Sequence, residues 1–285
     1  MVNKYLPDSK LEALELLSQK PLYIVAGGSD LMVMKKNVAG LAPNFDHDIL
    51  YISNIKDLKN IYRDEEGIHI GAGMTMDEVE HHELCPVLLR KALKEVASSN
   101  IRHFATLAGN IANASPAGDT PVVDVVLDAI IKLESKRGTR FIKAEDFILG
   151  VRKIACEDDE LITEIIFPNN DFTGNSWLKV GSRKADSIAK VSVACAYKIE
   201  NRRVESFALA FGSVAAKVIR CHDIEKKIIG LTLSELKLRK EDIVENYGKS
   251  ISPINDQRST SEYRMTVAKN IVRKFIDEIC LGGQQ

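Results

Sequence analysis

Two turns built from small residues constrain the fold of this chain more than any other feature of its sequence. The first, AGGSD at 26–30, follows the apolar, β-branched stretch PLYIV, which predicts a strand that ends in a double glycine. The second, TLAGN at 106–110, lies within FATLAGNIANASPAGDT, a segment of small and polar residues that fits neither a strand period nor a helix period. We therefore predict a strand and glycine turn at the first position and a long, structured loop at the second.

Glycine turns of this kind suit the binding of an anion. A residue without a Cβ lets neighbouring backbone N–H groups converge on a phosphate. Both segments also carry hydroxyl or amide side chains, namely Ser29, Thr106, Asn110 and Asn113. The two turns together predict a pyrophosphate site, and the alternative interpretation is that AGG is only a tight exit from the strand.

The common nucleotide-binding fingerprints are missing from the sequence. Gly71 and Gly73 follow a predicted strand, but Met76 occupies the third glycine position of the dinucleotide-binding motif. No G-x-x-x-x-G-K-[ST] sequence occurs, which excludes the usual P-loop. Adjacent His81 and His82 point in different directions on a helix, so we predict no metal site there.

Composition and charge exclude several classes of protein. The chain has 285 residues, of which 45% are hydrophobic and 28% charged, as in an ordinary globular protein of about two domains. Its 39 Lys and Arg and 40 Asp and Glu leave a net charge of −1. Because nucleic-acid binders and polybasic membrane proteins need a strong positive field, we expect neither nucleic acid nor membrane as a partner.

The cysteines indicate a reducing compartment. Five are scattered without a C-x-x-C pair, which encodes neither a zinc site nor an iron–sulfur cluster: Cys85, Cys156, Cys195, Cys221 and Cys280. The N-terminus reaches a charged helical pattern at once and shows no apolar secretion signal. We therefore predict a soluble, cytoplasmic protein with reduced thiols.

The pattern of elements changes near residue 170. The segment NNDFTGNS at 169–176 concentrates loop formers and is the best candidate for a domain boundary. Before it, short strands alternate with short helices, beginning with an amphipathic helix over 9–18. After it, SWLKVGSRK, AKVSVACAYKI and VESFALAFGSV predict three strands, and the chain from about Cys221 onward predicts helices.

Several of these segments resemble one family. AGGSDL at 26–31 and the later ATLAGNIANASPAGDTPVVDVVLDA look like the two-part FAD signature of the flavin subunits of molybdenum hydroxylases. These are the medium subunits of the xanthine, carbon monoxide and nicotinate dehydrogenase type. The likeness continues through SWLKVGSRKADSIAKVSVA and SEYRMTVAKNIVRKFIDEI, so it covers nearly the whole chain.

The resemblance implies an α+β fold. It consists of a two-subdomain FAD-binding fold of the vanillyl-alcohol-oxidase type and a C-terminal domain with a three-stranded antiparallel sheet and a helical bundle. The corresponding domains are 1–57 and 58–170 for the two FAD-binding subdomains and 171–285 for the C-terminal domain.

The resemblance also implies which residues bind FAD, and it implies no catalytic side chain and no metal ligand. Asp119 would bind sugar or ribityl hydroxyls, and Lys179 would approach the isoalloxazine. The full set that it implies is Ile24, Ala26, Gly27, Gly28, Ser29, Leu31, Thr106, Gly109, Asn110, Ala112, Asn113, Asp119, Leu161, Ile162 and Lys179.

The sequence departs from the family at some of these positions. Ala108 replaces the first glycine of the usual T-I-G-G-N, and Glu95 and Val96 stand where animal members have aromatic residues near the ring. Lys179 and Arg183 are candidates for tuning the flavin, since a cation near the ring stabilises anionic reduced forms; the alternative is that both are solvated surface charges.

The function that the resemblance implies is electron transfer within a hetero-oligomer. Electrons from [2Fe–2S] clusters of a small subunit would pass through FAD to NAD or another acceptor, while a molybdopterin-binding large subunit would oxidise and select the substrate. A stand-alone FAD-dependent oxidase or reductase is one alternative. A scaffold subunit without flavin is an alternative of another class.

Overall fold

The chain folds as an α+β protein, as expected, in a computed structural model that describes residues 2–282. The strands are β1 Lys4–Tyr5, β2 Tyr23–Val25, β3 Ile49–Tyr51, β4 Ile61–Arg63, β5 Gly67–Gly71, β6 Ile130–Ser135, β7 Gly138–Lys143, β8 Ile148–Gly150, β9 Lys153–Ile154, β10 Leu161–Pro168, β11 Gly174–Val180, β12 Val191–Glu200, β13 Arg203–Gly212 and β14 Ile219–Arg220. The helices are α1 Lys10–Leu17, α2 Leu31–Met34, α3 Met76–His81, α4 Val87–Leu93, α5 Ser99–Arg102, α6 Leu107–Ala112, α7 Thr120–Val126, α8 Ala144–Phe147, α9 His222–Ile228, α10 Leu233–Leu238, α11 Lys240–Ser250 and α12 Ser261–Gly282, with a 3₁₀ turn at Lys56–Leu58.

These elements form two compact units. The first unit consists of Met1–Cys85, Ala97–Asn113 and Ala129–Asn169. The second consists of Pro86–Val96, Ala114–Asp128 and Asn170–Gln285, so α4 and α7 belong to it although they precede residue 170. The three-part division predicted from the sequence stays a proposal.

A small parallel sheet opens the first unit and ends in the first glycine turn. Its strand order is β1-β3-β2, and both outer strands pair with β3 in parallel. Helix α1 starts at Ser9, whose side chain accepts a hydrogen bond from the backbone N–H of Glu12. The helix packs on the sheet through one apolar face, where Leu14 and Leu17 are buried. The turn at 26–30 leaves this sheet from the end of β2.

An antiparallel sheet of five strands forms the rest of the first unit's framework. Its order is β4-β5-β10-β6-β7, with β10 in the centre. Strand β10 pairs with β5 on one side and with β6 on the other. Its run of apolar residues is buried, as expected for a central strand that is covered on both of its faces. Strands β4 and β5 pair as an antiparallel hairpin at one edge of the sheet.

The second unit is a sheet backed by helices. The three long strands predicted after residue 170 are present as β11, β12 and β13, and the two-residue strand β14 extends the sheet. Helices α9 to α12 follow from Cys221 as predicted and bury one apolar cluster against β12 and β13. Its largest buried side chains include Phe211, Tyr247 and Phe275. Within residues 2–282, no helix is long and apolar enough to cross a membrane.

Candidate functional site

A cleft in the first unit brings the two small-residue turns together. Its volume is about 310 Å³. The predicted cofactor-binding residues that line it are Ile24, Ala26, Gly27, Gly28, Ser29, Leu31, Thr106, Gly109, Asn110, Ala112 and Asn113. Its other lining residues are Val25, Asp30, Met34, Met76, Ala105 and Arg152. Residues far apart in sequence therefore form one concave surface.

The first turn owes its shape to two glycines with different roles. Gly28 has a φ of +66°, a left-handed conformation that favours glycine. A Cβ on Gly27 would lie 1.7 Å from the carbonyl oxygen of Phe104, so this glycine allows two backbone segments to touch. The Ser53 hydroxyl holds the start of the turn by donating to the carbonyl of Ala26 at 2.7 Å.

Unpaired backbone donors distinguish this turn. The N–H groups of Gly27, Gly28 and Ser29 donate to no protein acceptor within residues 2–282, although all three residues line the cleft. Protein N–H groups that are withdrawn from bulk water generally find an acceptor. Consecutive N–H groups around a left-handed residue form a concave donor surface for anions. The turn therefore fits a phosphate.

The second turn is helical, so the predicted long loop over 104–120 is wrong in its first half. Helix α6, Leu107–Ala112, starts at Thr106, whose Oγ1 accepts a hydrogen bond from the N–H of Gly109 at 3.0 Å. The cap stabilises the start of this short helix, and buried Leu107 and Ile111 pack it against the core. Six residues are too few to show a period in the sequence, which explains the error.

Backbone contacts fix the position of this second turn. The N–H of Met76 donates to the carbonyl of Ala105 at 2.7 Å, and Thr75 and Thr106 form an isolated antiparallel bridge. Thr75 also begins α3 with a complete capping box to Glu78. The cleft thus has rigid backbone on this side.

A cation that no sequence motif indicates also lines the cleft. Arg152 Nη1 donates to Asp30 Oδ2 at 2.7 Å and to the carbonyl of Asn113 at 3.2 Å. It lies in the turn between β8 and β9, and no local motif in GVRKIA marks it. Only the fold brings this residue to the two turns.

Asp119 and Lys179 lie in the second unit and form a buried ion pair. Lys179 Nζ donates to Asp119 Oδ2 at 2.6 Å and to the carbonyl of Glu95 at 2.8 Å. Burial raises the pKa of the Asp119 carboxyl to about 6, and the attraction of Lys179 opposes that rise. Asp119 Oδ1 is buried without a hydrogen-bond partner within residues 2–282, so it can accept a hydroxyl.

Leu161 and Ile162 do not line the cleft. Both begin β10 in the first unit and are buried. Leu161 packs in the apolar cluster beneath α1, together with Leu14 and Leu50. Both residues contribute to the core, and their contact with the cofactor stays a prediction.

Arg183 is committed to its own loop in the second unit. Its guanidinium donates to the carbonyls of Ala185 and Asp186 and pairs with the Asp186 carboxylate. The interpretation of Arg183 as a solvated surface charge fits these contacts, since its side chain is 65% exposed.

The part of the chain that the structure describes contains no cluster of metal-binding side chains. No group of three His, Cys, Asp or Glu residues there lies close enough to hold an ion. The five cysteines are free thiols, and Cys85, Cys195 and Cys280 are buried.

An α+β fold with a cleft between two glycine-containing turns and unpaired backbone donors is typical of proteins that bind a phosphate-bearing cofactor. The family described as "FAD binding domain in molybdopterin dehydrogenase" matches residues 1–170, and that described as "CO dehydrogenase flavoprotein C-terminal domain" matches residues 176–279. The chain belongs to this family of FAD-binding subunits of molybdenum hydroxylases, and FAD is its cofactor.

Curated relatives match along nearly the whole chain. The glyceraldehyde dehydrogenase medium chain of Sulfolobus acidocaldarius is 32% identical over 279 residues, which is 95% of this chain and 96% of the relative. The nicotinate dehydrogenase FAD-subunit of Eubacterium barkeri is 32% identical over 241 residues, covering 81% of this chain and 80% of the relative. Both are subunits of oxidoreductases, and so is this chain.

Solved structures show the same fold. Quinoline 2-oxidoreductase from Pseudomonas putida 86 superposes with a TM-score of 0.87 at 22% identity, covering 100% of this chain and 99% of that one. Reconstituted CO dehydrogenase from Oligotropha carboxidovorans gives a TM-score of 0.87 at 23% identity, covering 96% of each chain. At this identity the likeness concerns the fold alone.

Proposed function

We propose that the chain holds the diphosphate of FAD in the cleft formed by residues 26–30 and 106–113. The observation that carries this placement is the set of unpaired N–H groups at Gly27, Gly28 and Ser29. The residues proposed to contact the cofactor are Ile24, Ala26, Gly27, Gly28, Ser29, Leu31, Thr106, Gly109, Asn110, Ala112, Asn113, Asp119, Leu161, Ile162 and Lys179.

Each part of the cleft has a distinct role in this proposal. The first turn supplies backbone donors whose approach no side chain blocks at Gly27 and Gly28. Thr106 fixes the second turn by capping α6, and Asn110 and Asn113 add side-chain amides to the lining. The unpaired Oδ1 of Asp119 supports its assignment to a sugar or ribityl hydroxyl. FAD itself supplies the redox chemistry, and the protein binds and orients it.

The partners in this proposal are a molybdopterin-binding large subunit and a [2Fe–2S] small subunit, and the electron acceptor is NAD or another oxidant. The support is that the relatives are named as medium or FAD-binding subunits of dehydrogenases. Their names point to different substrates, among them glyceraldehyde, xanthine and nicotinate, so we assign substrate choice to another subunit. The free thiols support a cytoplasmic location.

Purification of the tagged chain from its natural source tests this function. We expect FAD in the purified material together with two further polypeptides, one containing [2Fe–2S] clusters and the other molybdopterin. The chain expressed alone should retain FAD and hydroxylate no purine, pyridine or aldehyde. A monomer that oxidises such a substrate without partner chains would instead establish the stand-alone oxidase.

A further inference from the structure

Among the described residues that line the cleft, Arg152 is the one with a positively charged side chain. Its φ is +58°, in the left-handed region that residues other than glycine rarely adopt. Such a conformation persists only where the surrounding structure holds it. The guanidinium of Arg152 makes its contacts with Asp30 and Asn113.

Those contacts join both turns of the cleft. Asp30 ends the first turn, and its Oδ2 accepts from Arg152 Nη1 at 2.7 Å. Asn113 follows α6 in the second turn, and its carbonyl accepts from the same nitrogen at 3.2 Å. One charged group thus bridges two segments that are separated in sequence and share the cleft.

The position of Asp30 makes this pair important for an anionic ligand. Asp30 occupies the N-cap position of α2, but its side chain makes no capping hydrogen bond. The carboxylate is bound to Arg152, and the two side chains are 49% and 41% exposed, respectively. Without Arg152, an uncompensated negative charge would stand at the edge of a cleft that is built to receive another anion.

We propose that Arg152 is a positioning residue that makes the cleft accept a diphosphate by neutralising Asp30. The inference rests on the proposed function, since it concerns the same cleft and the same diphosphate. It also names what selects the class of ligand. The affinity for phosphate-bearing ligands depends on the net charge of the Asp30 and Arg152 pair.

The test measures binding of ADP, which carries a diphosphate without a flavin ring, and of FAD to the flavin-depleted full chain. We expect Arg152→Gln to weaken both ligands by about tenfold or more, whereas Asp30→Asn, which leaves the Arg152 cation uncompensated, should bind both at least as tightly as the wild type. The double variant should bind within about threefold of the wild type, because the pair is again without net charge. Arg152→Lys, which keeps the charge, should retain most of the affinity.

Arg137→Gln is the matched control. Arg137 lies in the same unit, outside the cleft lining, and its guanidinium pairs with Glu157 and Asp159 on the surface. This control should bind both ligands like the wild type. Equal binding by Arg152→Gln and this control would overturn the inference, and so would a double variant as weak as Arg152→Gln. If the wild type itself binds no ADP or FAD, the proposed function fails instead.

Discussion

Asp124 is a buried carboxyl group that the fold leaves without a partner. It lies in α7, is fully buried, and neither carboxyl oxygen has a hydrogen-bond partner within residues 2–282. Burial raises the pKa of this group well above its usual value because the charged form loses its hydration. The folded protein therefore favours the protonated form of Asp124 more strongly than the unfolded chain does, which ionises this group above about pH 4.

We predict that Asp124→Asn makes the free energy of unfolding less dependent on pH. The folded state of the wild type binds a proton that the unfolded state releases, so its stability falls as pH rises from about 4 through the raised pKa, by up to about 1.4 kcal/mol per pH unit. Urea denaturation from about pH 4 to about pH 8 measures the difference, because Asp119, with a pKa of about 6, is present in every variant and its contribution cancels. Asp146→Asn, at an exposed residue of α8, is the control. Identical slopes in both variants would contradict the prediction.

The buried ion pair of Lys179 and Asp119 should contribute strongly to stability. Lys179→Met leaves a buried carboxylate without its cation, so we expect the free energy of unfolding at pH 8 to fall by about 3 kcal/mol. The loss should be smaller at pH 5, where Asp119 becomes neutral. Lys198→Met removes the partner of the exposed Asp171 carboxylate and should cost less than about 1 kcal/mol. Equal losses in both variants would show that burial does not set the strength of the pair.

What the sequence reveals about single residues depends on whether their chemistry is local. Gly28 acts within a few residues of chain, as a left-handed turn residue, and composition predicted a special role for it. From its local pattern Thr106 was predicted only as a polar residue of a loop, and its role as the cap of α6 was missed. Arg152 acts through contacts with Asp30 and Asn113, which are distant in sequence. Nothing in its neighbourhood along the chain could have indicated the cleft.

Among the elements, the first glycine turn depends on contact between two backbone segments. The carbonyl of Phe104 occupies the space where a side chain at Gly27 would begin, at 1.7 Å from an ideal Cβ. A substitution here therefore displaces the turn whether or not a phosphate is present. A substitution at Gly27 therefore tests backbone packing. A test of where FAD binds needs a substitution at a cleft residue whose side chain has free space.

We predict that Gly27→Ala lowers the free energy of unfolding by about 2 kcal/mol or more, because rigid backbone must move to admit the methyl group. Gly150→Ala is the control, since no atom lies within 4 Å of its added Cβ and its φ is not positive. This control should change stability by less than about 0.5 kcal/mol. Chemical denaturation of both variants checks the difference. A Gly27→Ala protein as stable as the control would contradict the close approach.

Long apolar elements could be predicted from the sequence, and short ones could not. Strands β10, β12 and β13 are buried runs of eight to ten residues, long enough for their apolar pattern to be read. Helix α6 has six residues of mixed composition and is held by its cap and by buried Leu107 and Ile111. Its stability comes from packing that the sequence does not display.

At the scale of the whole molecule, the chain's family determines its cofactor, and the cleft determines where we place it. Resemblance to the family's two-part signature predicted the α+β fold and FAD, and both are confirmed. The composition of each compact unit could not be predicted, because Pro86–Val96 and Ala114–Asp128 join the second unit through tertiary contacts. Such contacts produce no periodic pattern in the sequence from which they could be predicted.

The dissociation constant of FAD for Ser29→Asp tests whether the diphosphate lies against the first glycine turn. Ser29 lines the cleft with an unpaired N–H, and a carboxylate there would repel a diphosphate. Ser234→Asp adds the same charge at an exposed position in the first turn of α10, where a negative charge is tolerated. We predict FAD binding weakened by about tenfold or more in Ser29→Asp and unchanged in Ser234→Asp. Equal affinity in the two variants, with both folded, would contradict the placement of FAD in this cleft.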